Sequence, residues 1–301
     1  MIGRRSKKLL DATTGSIAVG LMRAVKLVDR KRAANFTGAL LRKVGPLLKE
    51  HQIGREQLRA AFPEKSDAEI EKILAGVWDN LGRVAAEFTH LDELKLAEEG
   101  SNAPNTILVP PQTLERARRF LNGNEALLIF ASHLANWEIP AVVARSFGVK
   151  SAVLYRRPNI AAISDAVIKL RENLMGQMVP TDLSAPVRLA HLLQAGVHVG
   201  MLVDQHYGKG VEVSFFGRPC KANPLIAVLA RQLECPIHGM RVVRLPDGNG
   251  FWGEMTDPID PPRDADGRID IKGAMQTITT VIEGWIREHP EQWLWLHRRW
   301  R

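Results

Sequence analysis

Apolar residues recur at helical spacing between Ser66 and His90, at Ile70, Ile73, Leu74, Val77, Trp78, Leu81, Val84, Ala85 and Phe88, and so form one stripe on one helix face. Ser66 and Glu69 stand at its start as a capping box, hydroxyl and carboxylate three residues apart. Shorter helical patterns cover 32–49 and 55–62, so the first hundred residues read as an all-helical layer. Near the N-terminus Ile17, Leu21, Val25 and Val28 share one helical face, whereas Arg23, Lys26 and Arg30 share another. Asn102 to Pro111, rich in Pro and Asn, marks a junction.

Beyond the junction the period changes. Short apolar runs at Ala126–Ala131, Ser151–Tyr155 and Val197–Val203 predict buried strands, and a later strand pair, Pro236–Leu245 and Phe251–Met255, flanks the turn Pro246–Gly250. Helical segments at about 112–121, 136–147, 159–173, 184–195 and 224–234 alternate with them, and a closing helix spans 271–289. This order predicts an α/β fold, a mixed sheet flanked by helices, with an N-terminal helical extension. The expected division is a membrane-surface amphipathic segment at 1–32, a helical layer at 33–104 and an α/β core at 105–301.

Charge changes the picture of the first segment. Residues 1–50 hold 12 Lys/Arg against 3 Asp/Glu, whereas the rest of the chain has 29 against 30, so the net +8 is confined to one end. A basic excess beside apolar residues suits an anionic membrane surface better than a nucleic-acid groove, and no zinc finger or aromatic-basic repeat occurs elsewhere. The uncharged run from Ala12 to Met22 is too short for a bilayer, which needs about 20 apolar residues. No small-residue cleavage site follows it, so the segment is expected to be retained at the membrane surface. Cys220 and Cys235 lie far apart with no CxxC spacing, which suggests two thiols and neither a disulfide framework nor a zinc site. No cofactor or metal is implied.

Candidate chemistry sits at the end of the first core strand, in Ser132-His133-Leu134-Ala135-Asn136-Trp137-Glu138. Ligands of α/β sheets bind at the carboxyl ends of strands, where His133 would emerge with Glu138 one helical turn on. A neutral imidazole takes a proton from a hydroxyl, and a carboxylate orients the ring and stabilises the imidazolium. An acceptor that brings its own hydroxyl needs no Ser or Cys nucleophile. By itself the H-x4-E spacing also fits a structural histidine. Arg156, Arg157 and Arg218 have the guanidinium geometry that pairs with phosphate, and equally fit solvated surface positions. Trp293, Trp295 and Trp300 read as core or interface anchors, and His297, Arg298 and Arg299 as a basic surface tail.

Taken together, several blocks resemble the lipid A biosynthesis acyltransferases, the lauroyl/myristoyl late-acyltransferase family. They are Ser132–Glu138, Tyr155-Arg156-Arg157-Pro158-Asn159, Asp204-Gln205-His206-Tyr207-Gly208 with Phe215-Phe216-Gly217-Arg218-Pro219, and His289–Trp300, in matching order from about residue 60. The resemblance implies a glycerol-phosphate-acyltransferase-like fold at the cytoplasmic face of the inner membrane. It also implies transfer of a fatty acyl group, usually from acyl carrier protein, to the hydroxyl of a 3-hydroxyacyl chain on a lipid A precursor. His133 is then the general base and Glu138 its partner, while Arg171 and Asp204 fall at functionally important positions and Asn159 joins the substrate-binding set. The chain departs from many relatives in lacking a clear N-terminal spanning helix, which favours surface attachment. Acylation of a glycerophospholipid or glycolipid would use the same chemistry, and a silent peripheral membrane protein would keep the fold without turnover.

Overall fold

Four helices open the chain: α1 (18–26), α2 (Arg30–Val44), α3 (Lys49–Ala61) and α4 (Asp67–Glu87). They are seen in a computed structural model that describes residues 15–16, 18–98, 100, 106–121, 125–156, 161–248 and 250–300. The capping box of α4 forms: Ser66 Oγ accepts from the Glu69 N–H, and the Ser66 N–H donates to Glu69 Oε2 at 2.8 Å. The predicted stripe is buried at Ile70, Leu74, Val77, Trp78 and Val84. Close approach to α2 depends on Gly82, where an added Cβ would come within 2.3 Å of the Thr37 carbonyl oxygen.

The core elements follow as β1 (Lys95–Glu98), β2 (Thr106–Val109), α5 (Pro111–Leu121), β3 (Leu128–Ala131), α6 (Ile139–Ser146), β4 (Ser151–Tyr155), α7 (Ala161–Met175), β5 (Gln177–Pro180), α8 (Ala185–Gln194) and β6 (His198–Leu202). Then come the hairpin β7 (Val211–Phe215) and β8 (Arg218–Ala222), α9 (Leu225–Leu233), β9 (Ile237–Arg244), β10 (Phe251–Met255) and α10 (Ile271–Glu288). Eight strands make one mixed sheet in the order β1-β2-β10-β9-β3-β6-β4-β5, parallel throughout except for the β9–β10 pair. This is the α/β architecture expected from the alternation.

Period-2 alternation divides the sheet's side chains between two helical coats. Leu128 and Phe130 of β3 face the larger cluster with α8, α9 and α10, where Phe130 stacks on Trp285 at 5.6 Å. Ile129 faces the other way, toward Ile139, Val142 and Val143 of α6 and Met175 of α7. Leu58, Leu74 and Trp78 of the helical layer share the larger cluster with Trp293 and Trp295 near the C-terminus.

Five strands escaped the sequence pattern. β1 is only four residues, Lys-Leu-Ala-Glu, and β2 is a four-residue run inside the Pro- and Asn-rich stretch that reads as a junction. The β7–β8 hairpin turns through Phe216 and Gly217, both at positive φ (51° and 70°), so its apolar Phe-Phe pair hides a turn. β5 starts after Gly176, at φ 84°, where a Cβ would lie 2.4 Å from the Ser151 carbonyl oxygen.

A buried ion cluster ties the helical layer to the sheet. Glu87 at the end of α4 meets Arg30 of α2 at 3.3 Å and Arg244 of β9 at 2.9 Å, and it also accepts from Asn136 Nδ2 at 3.0 Å. Removing the carboxylate leaves two guanidinium groups buried without their counter-charge, a change that costs about 3–5 kcal/mol. Glu87→Ala is therefore expected to lower unfolding stability by that amount in denaturant melts, whereas Arg59→Ala, whose Asp67 partner is exposed, should stay within about 1 kcal/mol. Equal effects from the two variants would contradict the assignment of Glu87 as the anchor.

Candidate active site

β3 delivers His133 to the carboxyl edge of the sheet, and parallel β6, in register with it through Ala131 and Leu202, delivers Asp204 beside it. Asp204 Oδ1 lies 2.8 Å from His133 Nδ1, and Oδ2 accepts from the His133 backbone N–H and from Trp293 Nε1, each at 2.7 Å. Burial by itself would push the Asp204 carboxyl up, but the His133 ring, its amide and the indole N–H together hold it below the usual aspartate value. A carboxylate on Nδ1 fixes the tautomer that leaves Nε2 as the proton acceptor. Gln205 Nε2 lies 3.3 Å from that nitrogen, a geometry in which the amide donates.

The turn after His133 is strained and held from three sides. Ala135, fully buried, sits at φ 47°, a conformation that costs a residue with a Cβ of order 1–3 kcal/mol and persists only when the surroundings over-determine it. Here Asn80 Nδ2 donates to the Ala135 carbonyl at 3.0 Å, and the Ala135 N–H donates to the Gln292 carbonyl at 2.9 Å. The Leu294 N–H donates to the His133 carbonyl at 3.1 Å. Asn136 accepts from the Glu138 N–H at 3.2 Å while its amide holds Glu87.

Glu138 is nearly buried at the start of α6, and its carboxylate is engaged bidentately by Arg171 of α7, Nε to Oε2 at 2.9 Å and Nη2 to Oε1. The carboxylate on the imidazole is thus that of Asp204, where the sequence pattern suggested Glu138. The difference is topological: H-x4-E spacing is visible in the chain, but the β3–β6 neighbourhood that brings residue 204 to residue 133 is not.

Past Val153 and Gly200 the paired strands β4 and β6 separate, and a cavity of about 950 Å³ opens in the gap. Its walls on the α6/α7 side are apolar, including Ile129, Ala141, Val153, Met175, Met178 and Met240. Polar groups gather at the mouth: His133, Glu138, Arg156, Arg171, Gln205 and His297. A deep apolar space with a few convergent polar groups is the form of a site for an amphiphile's chain.

A model of the bacterial lipid A biosynthesis acyltransferase family matches residues 3–301. The chain belongs to this family. A comparison with curated proteins found no match. In this acyltransferase His133, Glu138, Arg156 and Arg171 line one cavity, with Asp204 behind the imidazole. Arg218 does not join them: it lies on β8 with its guanidinium over the Trp300 ring at 5.4 Å. Arg157 and Asn159 lie outside the described residues.

Trp293, expected only as an anchor, also fixes Asp204; His297, expected on a surface tail, lines the cavity, and so does Gln205, which was quoted only within its block. Gln205 was legible as the neighbour of Asp204 in its block. Arg299, expected on a surface tail, is buried and donates to the carbonyls of Lys221 at 2.7 Å and Gln205 at 3.3 Å.

The depressed Asp204 carboxyl has a consequence for stability. A group whose folded pKa lies below its unfolded value, about 3.9 for aspartate, stabilises the fold fully above that value and loses the contribution as pH falls through the folded one. Denaturant unfolding between pH 7 and pH 3 should therefore show wild type losing stability more steeply on the acid limb than Asp204→Asn. Parallel slopes would show that Asp204 is not held ionised by its three donors.

Proposed function

We propose that this family member moves a fatty acyl group from a thioester donor, acyl carrier protein, onto the hydroxyl of a 3-hydroxyacyl chain of a lipid A precursor. The observation that carries the reading is His133 Nε2, oriented through Nδ1 by Asp204 and placed at the mouth of an apolar cavity. In this mechanism Nε2 removes the acceptor hydroxyl proton as that oxygen attacks the thioester carbonyl. Collapse of the tetrahedral intermediate forms the ester, breaks the carbon–sulfur bond and returns the proton from imidazolium to the departing thiolate.

Glu138 serves by positioning Arg171: it holds Nε and Nη2, the guanidinium lies over the Phe88 ring at 5.5 Å, and in this reading Nη1 donates toward the developing oxyanion. Arg156 at the mouth suits a phosphate of the acceptor. His133→Ala should reduce turnover at least about a hundredfold with an unchanged melting profile, the lower range of general-base help. Retention of activity within about threefold of wild type would make His133 structural and the mechanism wrong.

The place of action in this reading is the cytoplasmic face of the inner membrane. Among the described residues no helix is long and apolar enough to cross a bilayer. An exposed apolar stripe instead runs along α2 through Phe36, Leu40 and Val44, one helical turn apart, and on to Leu47, with Leu21 and Leu27 exposed before it. Lys31, Arg32, Arg42 and Lys43 are exposed on the same helix. Such a face lies in the membrane interface, each large apolar side chain adding about 1.5–3 kcal/mol on burial. Phe36→Glu with Leu47→Glu should cut binding to vesicles containing anionic lipid at least about tenfold. Undiminished binding would remove this face from membrane contact.

A further inference from the structure

Glycines in the centre of a sheet usually have a packing reason, and Gly239 of β9 has one: a Cβ there would meet the Phe130 ring at 2.6 Å and Trp285 at 2.8 Å. Gly200, two strands away in the middle of β6, has none. A Cβ at Gly200 would meet only the Ala152 carbonyl oxygen, at 4.0 Å. A Cβ here would clash with nothing among the described residues, and its absence leaves open space.

That space is the apolar cavity. Gly200 pairs with Ile129 of β3 and Val153 of β4, and all three face the α6/α7 side, where Met178 and Met240 complete the wall. Val153–Gly200 is the last pair before β4 and β6 separate, so Gly200 sits at the base of the gap. It lies four residues before Asp204, about 13 Å down the strand from the catalytic edge. Farther on, at the amino end of the same strands, the cavity is lined by His198, Ser151 and Val149.

We propose that Gly200 sets the length of acyl chain the enzyme transfers: its missing side chain is the passage through which the donor chain reaches the distal part of the cavity. The inference rests on the acyl-transfer reading above. The thioester carbon must lie at the mouth beside His133, so the alkyl chain of the donor runs along β3 and β6 past Gly200. The acceptor hydroxyl, by contrast, sits on the third carbon of its chain, two carbons from its own carbonyl and close to the sugar, and the rest of that chain can remain in the bilayer. A side chain at position 200 would meet the donor chain part-way down and exclude the methylenes beyond it.

The test is a donor-length profile for wild type, Gly200→Ala and Gly200→Leu, measured as kcat/KM with decanoyl, dodecanoyl, tetradecanoyl and hexadecanoyl carrier protein and one lipid A precursor. Each methylene kept out of the apolar cavity is worth about a fourfold loss. The leucine variant should favour shorter donors than wild type, with the longest donor losing most, decanoyl transfer retained and the acceptor KM unchanged. The alanine variant should shift the same way by less. Calorimetric titration of the same proteins with free fatty acids of these lengths reads the limit without turnover.

Because a Cβ displaces nothing at this site and glycine weakens a strand interior, the alanine variant should melt at or above the wild-type temperature, and a cooperative melt of the leucine variant shows that it is folded. A wild type active on these donors, with all three length profiles parallel, overturns the proposal and leaves acyl transfer standing. A wild type that transfers no acyl group of any length overturns the underlying reading instead.

Discussion

Asp204 is the point on which the site depends. Its two oxygens collect three N–H groups from two distant parts of the chain: the ring and backbone of His133 at the end of β3, and the indole of Trp293 near the C-terminus. A buried carboxylate without such partners would cost several kcal/mol and neutralise itself. With them it stays ionised and fixes both the position and the tautomer of the imidazole. The indole bond among them also holds the C-terminal segment against the sheet, so fold closure and the geometry of the candidate site are one arrangement.

The strained turn after His133 follows the same logic. Ala135 keeps a left-handed backbone because Asn80 of α4 and the Gln292 and Leu294 backbone bonds surround it, and the Glu87 cluster behind Asn136 links that support to α2 and β9. The helical layer therefore shapes the candidate site, although none of its described residues lines the cavity. It stabilises a turn that an isolated strand and helix would not adopt.

Much of this was legible in the chain, and the exceptions have physical causes. The α4 stripe and its capping box, the β3, β4 and β6 runs and the closing helix are all local patterns of period 3.6 or 2, and they appear where the pattern puts them. His133 was visible because a polar turn interrupts a buried run. What escaped depends on neighbours distant in sequence. The Asp204 partnership requires knowing that β6 lies beside β3, and the pairing of Glu138 with Arg171 requires the packing of α6 on α7. β1 and β2 at the far end of the sheet are strands mainly because other strands accept them. The gap between β4 and β6 is a feature of pairing register, which a single sequence does not display.

These elements belong together: an imidazole fixed by a buried carboxylate, beside an apolar cavity where two strands separate, in a chain with an exposed apolar and basic face. The activity they are proposed to serve is acyl transfer to a lipid A precursor. The most direct measurement is mass spectrometry of lipid A extracted from cells with and without this chain. Removal is expected to leave a species lighter by one fatty acyl group, and restoring the wild-type chain to return the full mass. An unchanged lipid A mass, with the protein present and folded in the control, would contradict the proposed activity.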